Sequence, residues 1–486
     1  MKTEAMEERL RKYRQAVYES MERRADALLD LMDALSSNEK AKSVVELSLS
    51  NLYRREYSSI TDSLSEMLKG ESDSEVLEEL AQRQAESSRI IASVIPEVSI
   101  GGHRLIGQDA TPVPRPYAKT LKDRTYVYEP SVIWWNTPVT IGHAYLTTAV
   151  LPERKLHSTP WLVPIRISRV SSQQTEQELA VEELNTLLTD KSLPFGKELV
   201  VNVVDSKFSC PAYLAKVAQH ENLVVITRLR GCRVLNRLAP PPVEGSKKAG
   251  HPTWYGDRFA LEDPPTWGTP DEQVWLGYTS CRNRLFTVEI QAWHNLLMRG
   301  KENLPMHNHP FTLVRIRLLN EAGNPAFKND LWLIVVGKQR HTLTLPQIYF
   351  DYNQRFDLEH FFRFGKQRFL LDAFQTPDIH HEQAWLQLFL LAYVQLYLLA
   401  PLVHPFCRPW ERYLPKPDYS PPTPIPSATQ TQRAAEPIIC HLGTPALPPK
   451  PRGISPGRSK NDIQTRRSKL SIVKKHTKQA KPSVPT

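Results

Sequence analysis

Through positions 3–95 apolar residues recur at three- and four-residue spacing, as in Ala25, Leu28, Leu29, Met32 and Leu35, which places them on one face of an α-helix. Ser36-Ser37-Asn38 and Gly70-Glu71-Ser72 interrupt the pattern and divide the region into about three helices. From His103 the texture changes to strand, with apolar runs at 103–108, 124–134, 141–150 and 161–168. A helical stretch at 176–189 precedes an apolar strand from Leu199 to Val204; a helix at 210–219 then leads to a second strand from Leu223 to Ile226. Strands followed by such alternation predict an α/β fold, a mixed sheet flanked by helices. Residues 230–325 are rich in Pro, Gly, Trp and Arg, carry short strands at 285–292 and 311–318, and read as an inserted β-rich subdomain. The core resumes with a strand from Leu331 to Val336 and long helices at about 346–373 and 382–399.

The pattern divides the chain into a helical N-terminal region (1–98), the first part of a core (99–229), the β-rich insertion (230–325), the second part of the core (326–412) and a Pro-rich tail expected to be disordered (413–486). Seventeen of the forty prolines lie at or beyond Pro401. Beyond Leu447 eleven Lys and Arg face a single acid, Asp462, so the tail carries the whole formal excess of +10. A mobile polycation attracts phosphate backbones without reading sequence. From Ala384 to Val403 no residue is charged, and a run of that length could span a bilayer. Gln387 and Gln395 interrupt it and Pro401 ends it, which favours a buried core helix and no membrane span. Five scattered cysteines without a CxxC pair indicate neither a zinc site nor a disulfide framework. With a charged N-terminus unlike a signal peptide, they fit a reducing cytoplasm. No GxxxxGK[ST] loop is present, so ATP use is not expected.

The chemistry gathers on the helix after Pro346. Tyr352, Arg355, Glu359 and Lys366 stand at i, i+3, i+7 and i+14; at about 100° per residue they fall within an arc of about 60°. One phenol, one guanidinium, one carboxylate and one ammonium on a single face suit phosphate handling: carboxylate oxygens hold divalent cations, and a guanidinium grips phosphate in bidentate fashion. A salt-bridged surface helix is the plainer alternative, since Arg355 and Glu359 form an i,i+4 pair. Two further acids weigh against it. Asp205 ends the apolar strand LVVNVV, at the carboxyl edge where sheet-based sites collect, and Asp109 ends the strand-like run HRLIGQ. Two strand-end aspartates and a helix glutamate can together hold two metal ions for in-line displacement at phosphorus.

The spacing Tyr-x2-Arg-x3-Glu-x6-Lys resembles the YREK signature of a large group of bacterial insertion-sequence transposases of the DDE class. Asp109 in GQDATPVPRP and Asp205 in VVDSKFSCPAYL stand in contexts similar to that group's two aspartates, and the resemblance covers about 100–412. It implies an RNase H-like core with Asp109, Asp205 and Glu359 as catalytic acids and metal ligands. It also implies Mg²⁺ or Mn²⁺ as cofactor, in a pair of ions, with Tyr352, Arg355 and Lys366 as DNA-phosphate-binding residues. Its partners would be transposon ends and target DNA, its working form a homodimer on DNA, its location the bacterial cytoplasm at the nucleoid. Relatives of this kind often cut through a DNA hairpin and flip a base onto an aromatic platform; Trp254, Trp267 and Trp275 are available, though core packing is the plainer use of each. Two other functions compete: a DNA-binding descendant that no longer cuts, and a metal-dependent nuclease without strand transfer. The basic run from Arg228 to Arg233 is either a solvated edge or a groove beside the site, and His307/His309 and His380/His381 lack a third ligand at fixed spacing.

Overall fold

The structure, a computed structural model, describes residues 2–474 apart from 71, 100–101, 130–137, 155–157, 241–253, 281–283, 301–302, 404–424, 452, 454–456 and 458–465. The N-terminal helical pattern folds as α1 (Lys2–Ser20), α2 (Ala25–Ser36), α3 (Ser58–Met67) and α4 (Asp73–Ala92). There is one helix more than the breaks predict, because Arg24 turns the chain in a left-handed conformation (φ 54°) while the apolar spacing runs on. Ser72 caps α4 by accepting from the Glu75 N–H, as the break at 70–72 leads one to expect.

The core opens with β1 (Arg104–Pro114), β2 (Thr125–Tyr128), β3 (Val139–Val150) and β4 (Val163–Val170). It continues with α5 (Glu176–Thr189), β5 (Val200–Val204), α6 (Pro211–Val217) and β6 (Leu223–Leu229). β3 pairs antiparallel with β1 on one side and with β2 and β4 on the other; β1 pairs parallel with β5, and β5 with β6. Four antiparallel strands, of which β2 is the shortest, followed by two parallel ones joined through helices, make the RNase H-like mixed sheet. The predicted run 124–134 is strand only over β2, and its end lies outside the described residues.

The stretch read as an inserted subdomain continues this sheet instead. β7 (Val234–Leu238) and β8 (Tyr255–Ala260) form a separate two-stranded ribbon. β9 (Glu272–Thr279), β10 (Leu285–Leu296), β11 (Phe311–Asn320) and β12 (Leu331–Val336) run antiparallel, and β12 pairs with β6. The result is one 10-stranded sheet in the order β2-β3-β1-β5-β6-β12-β11-β10-β9, with β4 also on β3. Short strands separated by Pro and Gly hid that continuity. Trp267 packs edge-on against Trp293 and Trp332, whereas Trp254 and Trp275 are exposed.

The predicted helix 346–373 is two, α7 (Leu345–Gln354) and α8 (Phe356–Arg368). Between them the ladder tightens at Arg355, whose N–H bonds to the Tyr352 carbonyl three residues back (3.2 Å). Leu370, in a left-handed conformation (φ 55°), stops α8 short of 373. The uncharged run becomes α9 (Ile379–Leu399), buried almost throughout and packed against β4, α1, α2, α3, α4 and α10 (Ala428–Leu442). Its two glutamines explain themselves: Gln387 donates to the Ile167 carbonyl (3.0 Å), and Gln395 to Asp33 (2.9 Å) and Ser36 (3.1 Å). Arg14, paired with Asp33, reaches the same Gln395 (3.0 Å). The N-terminal helices thus share the core of the sheet domain. No helix among the described residues is long and apolar enough to cross a membrane.

The expectation of a disordered tail from 413 onward fails over α10, which Ser427 caps in a reciprocal capping box and which buries Ala434, Ala435 and Ile439. Pro-rich flanks obscured its amphipathic spacing.

One buried carboxylate ties α9 to the first strands. Glu382 accepts from Arg115 Nε (2.6 Å), His143 Nδ1 (2.6 Å) and the Tyr145 hydroxyl (2.7 Å). Burial alone would raise its pKa; the His143 hydrogen bond, the Arg115 charge and the Tyr145 hydroxyl outweigh that and hold it at about 2. A folded pKa below the unfolded value gives stability that is present above about 4.5 and lost as pH falls toward 2. Glu382→Ala leaves a buried guanidinium without its partner and should cost about 3–5 kcal/mol in denaturant unfolding at neutral pH, with a correspondingly smaller loss on acidification. Wild-type stability would contradict the clamp.

Candidate active site

The parallel register of β1 and β5 sets Gln108 opposite Val204, so Asp109 and Asp205 follow side by side at the centre of the sheet. Asp205 stands directly after β5, as its sequence position suggests, and its carbonyl accepts from the Thr227 hydroxyl (2.9 Å). Asp109 does not end its strand. β1 runs on to Pro114, and Asp109 pairs with Thr147 of β3. The strand continues through Pro112 and Pro114 because β5 has already left its flank. Arg115 N–H bonds to Ile141 of β3 (2.7 Å), so the two even-numbered prolines present their missing N–H to the vacated side.

Strand alternation divides β1 between two environments. On one face Gln108 donates to Thr148 (3.0 Å) and to the Ala180 carbonyl (3.1 Å), and accepts from Asn202 (3.0 Å). This buried network fixes β1, β3 and β5 to one another and to α5. On the other face lie Gly107 and Asp109, beneath α8. A Cβ on Gly107 would stand 2.9 Å from Leu358 Cδ1 and 3.2 Å from Leu151 Cδ1. The missing side chain lets α8 settle on β1 at Leu358, and the next residue, Glu359, is carried over the aspartates.

Arg355 joins the acids. Its Nη2 donates to Glu359 Oε1 (2.7 Å) and its Nη1 lies 3.5 Å from Asp109 Oδ2, so the two carboxylates stand within the reach of one guanidinium. The same group lies 5.9 Å from the centroid of the Tyr352 ring and 5.2 Å from that of Phe356. Tyr352 is buried, while Glu359 is half exposed. Phe356 is exposed. Burial pushes the Asp109 carboxyl up to about 6; Arg355, Lys207 and the Ala110 N–H work against that, and Asp205 adds to it. Burial likewise raises the Tyr352 phenol, with Asp205 adding to the rise and Arg355 and Arg228 opposing it. Arg228 of the basic run therefore faces this site.

Of the residues singled out in the sequence, the fold brings together Asp109, Asp205, Tyr352, Arg355 and Glu359. Lys366 lies two turns further along α8, where its ammonium is held by the buried Glu129 (2.9 and 3.2 Å). Sequence reasoning missed two members. Lys207, two residues past Asp205, is paired with Glu176 (3.2 Å) and feels both aspartates. Gly107 stands two residues before Asp109, the same-face spacing that could have drawn attention to it. Among the described residues no three His, Cys, Asp or Glu side chains are already grouped to hold a metal ion; Arg355 occupies the space between two of the acids.

Residues 16–300 match the family model described as DDE superfamily endonuclease, more than half of the chain. The match includes Asp109 and Asp205 and ends before α8, so Glu359 rests on the geometry alone. None of the curated proteins compared with the chain matches it.

Gly107→Val should cost about 1–3 kcal/mol through overpacking and lift α8, separating Glu359 from Asp109. Denaturant unfolding reads the first effect and a crystal structure of the variant the second. Unchanged stability with Arg355 still between the two carboxylates would contradict this role for Gly107.

Proposed function

The chain belongs to the DDE superfamily of endonucleases, and from that premise we propose that it is a transposase, cutting DNA at the terminal repeats of an insertion sequence and joining the freed 3′ ends to target DNA. The observation that supports the proposal is that Arg355 reaches the carboxylates of both Asp109 and Glu359, while the β1–β5 register sets Asp205 beside Asp109.

The donor set fits a hard divalent cation. All three acids offer oxygen ligands, and a half-buried Asp109 beside Asp205 makes a pair of like charges that a cation would relieve. Mg²⁺ or Mn²⁺, as a pair of ions, would be held by Asp109, Asp205 and Glu359. Bound there, the ions would activate the attacking oxygen and stabilise the leaving one. The protein's own groups do the rest. Arg355, released from the carboxylates it now bridges, is placed to grip a phosphate through its planar fork. Tyr352 can donate its phenolic proton to a phosphate oxygen, since burial and Asp205 keep it protonated. Lys207 and Arg228 add positive charge at the rim, which favours a polyanionic substrate. Lys366, balanced by Glu129, would contact the backbone beyond the cut. Two ends must be brought together, which calls for a dimer on DNA, in a bacterial cytoplasm at the nucleoid. ATP has no role in this scheme.

Glu359→Gln keeps the shape of the side chain and removes its charge. With duplexes carrying the sequences that flank the coding region, the variant should lose Mg²⁺-dependent cleavage by at least about 10³-fold, a loss of about 4 kcal/mol in the transition state, and bind DNA as the wild type does. Equal cleavage by the two proteins would remove Glu359 from the site. Joining of the cut ends to a plasmid separates a transposase from a nuclease without strand transfer, and a wild type that binds the ends without cutting them would be the non-catalytic descendant.

A further inference from the structure

Part of the basic tail is held against the fold. Residues 466–474 run along the loop that follows β1. The Leu470 N–H donates to the Lys119 carbonyl (2.9 Å) and the Val473 N–H to the Arg124 carbonyl (2.8 Å). The Arg124 guanidinium donates back to the Leu470 carbonyl (3.2 Å), and Arg467 reaches the Pro377 carbonyl (3.4 Å). Two main-chain N–H groups of the strap, and one guanidinium bond back to its carbonyl, fix its place on the loop, rather than a diffuse attraction.

This strap closes one side of an open groove of about 1150 Å³, whose far wall is the C-terminal end of α8 and the turn after it. Lys42, Lys119, Lys366, Arg466, Arg467 and Lys469 line the groove, with one acid among them, Asp372. Burial raises the pKa of Asp372, and the Lys366 and Arg115 charges oppose that rise. Tyr117 stands on the lining with 89% of its surface exposed, an aromatic face beside a row of cations. Such a pairing suits the phosphates and bases of a nucleic acid. Lys366 belongs both to this groove and to α8, and at about 1.5 Å per residue it stands about 10 Å along the helix from Glu359.

We propose that the strap of residues 466–474 builds a second DNA-backbone groove, which continues from the acidic site past Lys366 and holds the duplex beside the cut. The choice of DNA over another polyanion rests on the nuclease reading above. The positive charge of the groove and its closure by the strap stand independently of it.

The test uses the full chain and a fluorescein-labelled duplex of arbitrary sequence, with anisotropy read across a range of salt concentrations. Two variants divide the question. Lys119→Ala, Arg466→Ala, Arg467→Ala and Lys469→Ala together remove charge and leave the backbone of the strap intact. Leu470→Pro with Val473→Pro keeps every charge and removes the two N–H donors that hold the strap. The charge variant should weaken binding at least about tenfold at physiological salt and flatten the log Kd against log salt slope by about 0.9 for each phosphate no longer neutralised. The proline variant should flatten the slope in the same direction despite its unchanged charge. Wild-type affinity and slope in the charge variant would overturn the groove. A wild-type slope in the proline variant would overturn the strap and leave a mobile polycation in its place. Circular dichroism checks that each variant folds, and if the proline variant does not, the charge variant decides. Mg²⁺-dependent cleavage by the wild type, measured alongside, separates the two readings: a wild type that binds the duplex and does not cut it removes the nuclease reading while the anisotropy result stands.

Discussion

A carboxylate in the middle of a sheet must be balanced or it will take up a proton. Asp109 is placed there by the pairing of β1 with β3 and β5, and burial drives its pKa upward. Arg355 provides the balance, and to do so it must sit where α7 gives way to α8, above β1. Most of the local architecture serves that requirement. Gly107 lets α8 approach, the Gln108–Asn202 network fixes the strands on the opposite face, and the tightened turn at Arg355 aims the guanidinium at two acids at once.

The second requirement is rigidity behind the sheet. α9, uncharged over most of its length, fills the space between β4 and the N-terminal helices. Three of its polar side chains are committed to distant partners: Glu382 to the ends of β1 and β3, Gln387 to β4, Gln395 to Asp33 and Ser36. The clamp at Glu382 lies close in sequence to the turn that ends α8, so the sheet and α8 are referred to one support. Buried charge of this kind specifies an arrangement more than it adds net stability.

Much of this was legible in the sequence. The β5 strand, the position of Asp205 and the limits of α5 and β12 follow from apolar runs with clear ends. The convergence of Tyr352, Arg355 and Glu359 follows from helical spacing, and it survives the break at Arg355 because a tightened turn alters the phase only slightly. Other features depend on partners far away in the chain. β1 runs through two prolines because its β5 neighbour stops first, which no local pattern records. β9, β10 and β11 extend the main sheet because β12 pairs with β6, a choice made across about a hundred residues. Lys366 shares the helical arc of Glu359, yet Glu129, from the segment after β2, engages it. α10 and the strap of residues 466–474 lay within a region whose composition speaks for disorder, and both are held by contacts to the folded core.

In our proposal Asp109, Asp205 and Glu359 form one cation site, and Arg355 now bridges two of its acids. Anomalous diffraction at the manganese edge, from crystals grown with Mn²⁺, tests it most directly. Anomalous density should touch the carboxylates of Asp109, Asp205 and Glu359, with the Arg355 guanidinium drawn away from Asp109. Manganese bound elsewhere, with Arg355 still bridging Asp109 and Glu359, would contradict it.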